Sequence, residues 1–417
     1  VKTWGATWEE YGSWDDWYAL HDYILANDMT VPANYNYVTD RLNVQSIIDY
    51  MIINTHVVCM DWLVWNTAWW RGRKDEGVKW RYTLWDMDAT FGHYINYTGI
   101  PDTSPFADPC YNEDPNVSDP EDHVDLVVQL MQNPDFHALY VNRYAQLNNS
   151  YFTCDYMIAL LDSLVDRIEP EMPRQVAKWG GTMTGWQNNV QALRDFINTR
   201  CTVIDQGIVD CYEVDGPYDI TVSVEPPNSG FVSLNSLLLT DYPYTGTYFG
   251  GVQLDLEAIA LMGYQFDYWE VNNNIVLPGI TNPDIWLNLT SADTIVAHFS
   301  VPIPTYNITL IVDPPATGTI STGGFEFTTY PVNLFLAEGT LIDLLANPAS
   351  GYQFAGWTAN VNTLLPDVNT PGISFTLTGN DTIIAHFEEV IPDYNLTINA
   401  QPDGAGSISL NGADITT

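Results

Sequence analysis

Two hydrophobic periods divide this chain. Up to about residue 213 apolar residues recur at helical spacing; from residue 218 they alternate with polar ones in short β-branched runs. The helical period covers SWDDWYALHDYILAND (13–28), LNVQSIIDYMIINTHVVC (42–59), HVDLVVQLMQ (123–132), PDFHALYVNRYAQLNN (134–149), CDYMIALLDSLVDRIEPEM (154–172) and GWQNNVQALRDFINTRC (185–201). One stretch interrupts it. After the helix that ends near Cys59 come a loop, then TAWWRG (67–72), a turn at RKDEG (73–77) and VKWRYTLW (78–85), which together predict a hairpin.

The second half repeats itself. YDITVSVEPPNSGFVSL at 218 is answered by YNITLIVDPPATGTIST at 306 and by YNLTINAQPDGAGSISL at 394, an offset of 88 residues. The same offset relates GYQFDYW (263) to GYQFAGW (351) and DTIVAHF (293) to DTIIAHF (381). Alternation punctuated by Pro-Pro, Asn and Gly predicts short antiparallel strands, so the repeats read as small β modules folding independently. The expected domains are residues 1–213, mainly helical, then modules at 218–301 and 306–389 and a truncated third at 394–417. Short Pro-bearing linkers, VPIPT and VIPD, predict a semi-stiff string.

With 417 residues the chain exceeds one hydrophobic core, in keeping with several domains. Charge changes the picture more. Against 52 acidic residues stand 13 Lys and Arg, all between Lys2 and Arg200. Such a surface repels phosphate backbones and anionic lipid, which excludes nucleic-acid and membrane-surface partners. No run approaches the roughly 18 apolar residues of a membrane span. The chain opens at Val1 without Met and stops at Thr417 inside a repeat, so it reads as an internal piece of a longer protein. The five cysteines have no metal-ligand spacing, and an odd count leaves at least one unpaired. Cys201 and Cys211 bridge only if the helix between them breaks, because ten helical residues span about 15 Å and a disulfide needs Cα atoms within about 7 Å.

Candidate chemistry concentrates in residues 59–92, where Asp61, Asn66, Asp86 and Asp88 sit among tryptophans. Buried carboxylates are costly unless paired, hydrogen-bonded or metal-bound. Asp61 and Asn66 have the D-x-x-x-x-N spacing of kinase catalytic loops, the hairpin follows, and Asp86 opens DMDATFG. Phosphoryl transfer needs this order of parts: a carboxylate near the acceptor hydroxyl, then oxygen ligands that hold Mg²⁺ against nucleotide phosphates. The structural alternatives are a helix stop and turn residue at Asp61 and Asn66, and a Ca²⁺ site at WDMD. His123 and His137 read as packing residues, the basic run Arg71 to Arg81 as a solvated hairpin, and DPCYNEDPNVSDPEDH (108–123) as a surface loop.

Residues 15–210 resemble the CotH kinase family, atypical kinases named for a spore-coat protein. IDYMIINTHVVCMDWLVWN and KWRYTLWDMDATFG carry the likeness, with LMQNPDFHALYVNRY, IEPEMPRQVAKWG and VQALRDFINTR downstream. The resemblance implies a mainly α kinase-like C-lobe with a small hairpin. It also implies a secreted or surface-associated kinase that uses ATP with Mg²⁺ or Mn²⁺ to phosphorylate Ser or Thr of extracellular or surface proteins. Asp61 is then the catalytic aspartate, with Asn66, Asp86 and Asp88 as metal ligands; spacing does not decide between Asp86 and Asp88. Cys59 and Met60 replace the His and Arg that precede the aspartate in ordinary kinases. The upper lobe with its phosphate-gripping Lys is expected upstream of Val1, so residues 1–417 alone are expected to bind nucleotide poorly. The alternative is a catalytically silent kinase-like adhesion or binding protein.

The modules resemble the InlB-type B-repeats of bacterial surface proteins, through G-Y-x-F-x-x-W and a closing I-x-A-x-F strand. This implies small β-rich, β-grasp-like domains with Trp269 and Trp357 as core anchors, packed by Tyr264, Phe266, Tyr352 and Phe354. Carbohydrate stacking on an exposed aromatic is the alternative. Their expected role is spacing, or adhesion to a partner.

Overall fold

The helical period becomes helices α1 Asp15–Ala26, α2 Pro32–Thr39, α3 Val44–His56, α4 His123–Met131, α5 Pro134–Asn148, α6 Cys154–Ile168, α7 Met172–Trp179 and α8 Met183–Tyr212 in the computed structural model. The structure describes residues 1–392, 398 and 407–415. Polar side chains start the helices where the sequence places them. Asn43 accepts from the Ser46 N–H at the head of α3, and Asn133 accepts from Asp135 and Phe136 at the head of α5, satisfying donors that the helices leave unpaired. Helix α1 buries Trp17, Leu20, His21 and Ile24, an i, i+3, i+4, i+7 stripe. Helix α2 escaped the pattern because PANYNYVT buries only Val38. Helix α8 runs eleven residues beyond the segment ending at Cys201, so Cys201 and Cys211 lie on one unbroken helix and each bridges elsewhere.

The expected hairpin is present as β3 Thr67–Trp70 and β4 Arg81–Thr83, antiparallel, with a 3₁₀ turn at Asp75–Val78 between them. Two short N-terminal strands, β1 Lys2–Thr3 and β2 Thr7–Trp8, extend it into a sheet of order β2-β1-β3-β4. Among the described residues no helix is long and apolar enough to cross a membrane.

The first module comprises β5 Asp215–Glu225, β6 Gly230–Leu234, β7 Leu237–Leu239, β8 Tyr244–Gly250, β9 Gln253–Ala260, β10 Gln265–Val271, β11 Val276–Leu277, β12 Asp284–Asn288 and β13 Asp293–Ser300. The second comprises β14 Thr305–Asp313, β15 Gly318–Thr322, β16 Phe325–Phe327, β17 Val332–Ala337, β18 Leu341–Pro348, β19 Tyr352–Thr358, β20 Gly372–Thr376 and β21 Asp381–Glu389. Each module has two sheets. Orders β10-β13-β5-β8 and β12-β9-β6-β7 in the first become β19-β21-β14-β17 and β20-β18-β15-β16 in the second, strand for strand, with β11 as an extra edge strand in the first. The central pair, β5 with β13 or β14 with β21, is parallel.

Trp269 and Trp357 are 1% and 4% exposed, and each indole N–H reaches a carbonyl: Trp269 those of Asn282 and Pro283, Trp357 that of Thr370. Gly230 and Gly318 are obligatory, because a Cβ at either would collide with the ring of Phe299 or Phe387. The repeated DT dipeptide also has a structural purpose. Asp381 accepts N–H groups from Asn360, Val361, Asn362 and Thr382 at 2.8–3.0 Å, and Asp293 is caged alike by Asn272, Asn273, Asn274 and Thr294. Burial pushes the Asp381 carboxyl up, but the backbone donors outweigh it and hold the group below its ordinary value.

The chain divides into two compact units, Val1–Val301 and Pro302–Thr417. The first module therefore packs with the helical domain rather than standing alone. Asn149, at the end of α5, accepts from the Thr247 N–H and donates to the Thr247 carbonyl, both at 2.8 Å, and Asn142 donates to the Gln253 carbonyl at 2.7 Å. Of the third module expected at 394–417, residues 394–397, 399–406 and 416–417 lie outside the described residues. What is described is a hairpin, β22 Ile408–Leu410 with β23 Ala413–Ile415, in the register of β15 and β16.

Candidate functional site

The loop after α3 is set by backbone geometry that the sequence does not announce. Val58, Leu63 and Asn66 have φ of 53°, 70° and 51°, and opposite them Asp86 and Phe91 have 53° and 55°. Asn and Asp tolerate the left-handed region; Val, Leu and Phe are strained there, by roughly 1–3 kcal/mol each, and such residues gather at functional sites. Hydrogen bonds hold the loop in place: Met60 N–H to the Ala89 carbonyl at 2.8 Å, Phe91 N–H to Val57 at 2.8 Å, and Thr98 N–H to Met60 at 3.0 Å. Thr98 also receives the Trp62 N–H on its hydroxyl at 3.1 Å.

This folding brings three of the four expected residues into direct contact. Asn66 Nδ2 donates to Asp61 Oδ1 at 2.5 Å and lies 3.4 Å from the Asp86 carbonyl oxygen. Asp61 is 8% exposed, and its pKa rises to about 6, because of burial first and then the charges of Asp88 and Asp86, while the Asn66 hydrogen bond pulls it down. Asp86 and Asp88 themselves have exposed side chains. The charge of Asp88 is felt at Asp61, at the buried Cys59 thiol and at Tyr97, whereas that of Asp86 is felt at Asp61. Among the described residues no three His, Cys, Asp or Glu side chains form a ready-made metal cage. The buried Asn66 Oδ1 has no hydrogen-bond partner, and such an orphan acceptor next to carboxylates is an oxygen donor suited to a hard cation.

Sequence reasoning missed the surroundings. Strand β1 pairs with β3 across more than sixty residues and carries Lys2 to the site's edge, its ammonium 4.8 Å from the Trp85 ring centroid and 3.8 Å from Glu10. An aromatic chain runs alongside, Trp4 to Trp65 at 5.4 Å, Trp65 to Tyr97 at 6.1 Å and Tyr97 to Tyr94 at 5.9 Å. Only the abundance of Trp and Tyr in 59–97 hinted at it. In the basic run Arg71 pairs with Asp16. His123 is wholly buried, with Nδ1 2.8 Å from the Tyr82 hydroxyl, and burial lowers its pKa to about 3; His137 Nε2 lies 2.8 Å from the Tyr212 carbonyl. A cleft of about 520 Å³, lined by His137, Asn142, Arg143 and Asp255, shares no residue with the Asp61 site.

Next to His123, in the loop 108–123, Asp119 has one carboxylate oxygen on the Val124 N–H at 2.7 Å and the other buried without a partner. Burial raises its pKa to about 7, with the charges of Asp122 and Asp125 adding to it. Because the folded-state pKa lies above the unfolded one, the contribution of this group is fully present below the ordinary carboxylate range and is lost as pH rises to about 7. Urea unfolding at about pH 5 and pH 8 is expected to show Asp119→Asn gaining stability on wild type as pH rises; a constant difference would contradict the assignment.

Comparison with known proteins places these features. Residues 4–204 match the family model described as CotH kinase protein, and residues 220–302 and 308–391 match the divergent InlB B-repeat domain. No curated protein matches the chain. Among solved structures, the major pilin T-13 of Streptococcus pyogenes is 12% identical, with a TM-score of 0.16 over 42% of this chain and 98% of the pilin. The pilus adhesin SpaC of Lactobacillus rhamnosus GG is 11% identical, with a TM-score of 0.18 over 42% of this chain and 32% of the adhesin. The Bacillus anthracis TIE protein is 14% identical, with a TM-score of 0.20 over 42% of this chain and 34% of its own. Scores this low carry no argument. The architecture rests on the family matches and on the repeated strand order: a CotH kinase domain at residues 4–204, followed by two divergent InlB B-repeat domains.

Proposed function

We propose that the protein carrying this chain is an atypical protein kinase of the cell surface or the secreted fraction. It transfers phosphate from ATP to Ser or Thr of partner proteins, and the B-repeats act as its stalk. The observation that carries this reading is the contact of Asn66 with both Asp61 and the backbone of Asp86, which puts a catalytic-type carboxylate beside hard oxygen donors. Asp61 accepts the proton of the attacking hydroxyl, and its raised pKa suits a base. Asn66 orients that carboxylate through Nδ2 and keeps Oδ1 free. Asn66 Oδ1, Asp86 and Asp88 would hold Mg²⁺ or Mn²⁺, which, when bound, neutralises the nucleotide phosphates. Few protein ligands suffice for this, because Mg²⁺ completes its shell with waters and phosphate oxygens.

Two disulfides, Cys110–Cys211 and Cys154–Cys201, support an oxidising location. The excess of carboxylates repels ATP unless metal screens them. Calorimetric titration of the natural full-length protein with ATP is therefore expected to give heat only with divalent metal, and Asp88→Ala is expected to weaken that metal-dependent binding at least tenfold, about 1.4 kcal/mol. Binding that ignores metal, or no binding under any metal condition, would favour the silent adhesion module.

A further inference from the structure

The two B-repeat domains treat one equivalent edge strand differently. In the first, β8 is covered: Asn149 clamps the outward N–H and C=O of Thr247. The register Asp219 opposite Thr247 recurs one repeat later as Asn307 opposite Phe335 on β17. Asn307 gives its N–H to Asn380 on the side away from β17, so this is a non-bonded antiparallel pair, and Phe335 turns its own N–H and C=O to the edge. Among the described residues of the unit Pro302–Thr417 none bonds them, and Phe335 is 76% exposed.

Natural sheets blunt their free edges with charge, proline, bulges or very short strands. The second module does so at its other edges. Strand β19 carries a bulge between Phe354 and Gly356, β16 has three residues including Glu326, and β20 is closed by a two-way bridge between Leu365 and Ser374. Strand β17, VNLFLA, has six residues, no charge, no proline and no register shift. It does not fit a helix end as β8 does. A Cβ at Gly246 would already press on Asn149 at 3.1 Å, and the second module has Leu334 there and Phe335 for Thr247.

We infer that β17 pairs antiparallel with β17 of a second copy of this chain about a two-fold axis at Phe335, joining the two four-stranded sheets into one. The strand is self-complementary in that register. Phe335 faces Phe335, Asn333 faces Ala337 and Leu334 faces Leu336, so no like charges oppose each other. The half-buried Leu334 and Leu336 gain cover. Repulsion between chains of net charge −39 opposes association, so salt strengthens it. The inference does not depend on phosphoryl transfer.

Sedimentation of the 417-residue chain over a wide concentration range, at low and high salt, tests it. The expected result is a mass rising from one chain to two, with Phe335→Lys raising the dissociation constant at least about tenfold by setting ammonium against ammonium. Phe325→Lys, at a similarly exposed aromatic of the other sheet, is expected to leave association unchanged. Hydrogen exchange at the Phe335 amide should slow as the dimer fills. A single-chain mass at every concentration, or a dimer indifferent to Phe335→Lys whose Phe335 amide exchanges freely, overturns the inference.

Discussion

Replacing Asp61 with alanine in the natural full-length protein is expected to lower phosphate transfer by roughly 10²–10⁴-fold, the range that a positioned acid–base group supplies. Nucleotide binding should stay within about threefold of wild type, since Asp61 is held by Asn66 and is not among the proposed metal ligands. Radiolabelled transfer measured beside calorimetry separates the two effects. The fold should survive, because removing this carboxylate relieves a buried charge whose pKa is raised mainly by burial. Undiminished transfer by Asp61→Ala would take the residue out of the catalytic role while leaving the metal ligands to be judged by the Asp88 result.

Removing the long disulfide is expected to have the largest effect on stability. Cys110–Cys211 spans 101 residues and ties the loop 108–123 to the end of α8, where Tyr212 also bonds the Pro109 carbonyl. Opening a loop of that length costs on the order of 3–5 kcal/mol in the chain-entropy account. Cys110→Ser with Cys211→Ser should lower the urea midpoint of the unit Val1–Val301 accordingly, and reduction of wild type should reproduce the shift. The bridge Cys154–Cys201 acts more locally. Helix α6 has no buried residue, so losing its tether to α8 should speed amide exchange in α6 before global unfolding. A midpoint that does not move with reductant would mean that these bridges contribute nothing to the folded unit.

Sequence determined what short-range rules encode. The 3.6 and 2.0 periods separated helices from strands because each residue's φ/ψ preference and buried face are set by near neighbours. The 88-residue offset specified two modules of one strand order, down to the caged Asp293 and Asp381. D-x-x-x-x-N, the hairpin and WDMD pointed to the residues proposed as a site, three of which the fold brings together. Tertiary structure alone decided the rest. It set Asn66 against the Asp86 backbone and brought the charges of both Asp88 and Asp86 to bear on Asp61, which spacing alone did not show. It delivered Lys2 to Trp85 through β1, paired four cysteines across the fold and buried Cys59 unpaired. It fused the first module to α5 through Asn149 and left the second module's matching edge open at Phe335. These outcomes depend on contacts between segments tens of residues apart, whose geometry follows from how whole faces pack and is not written in any local period.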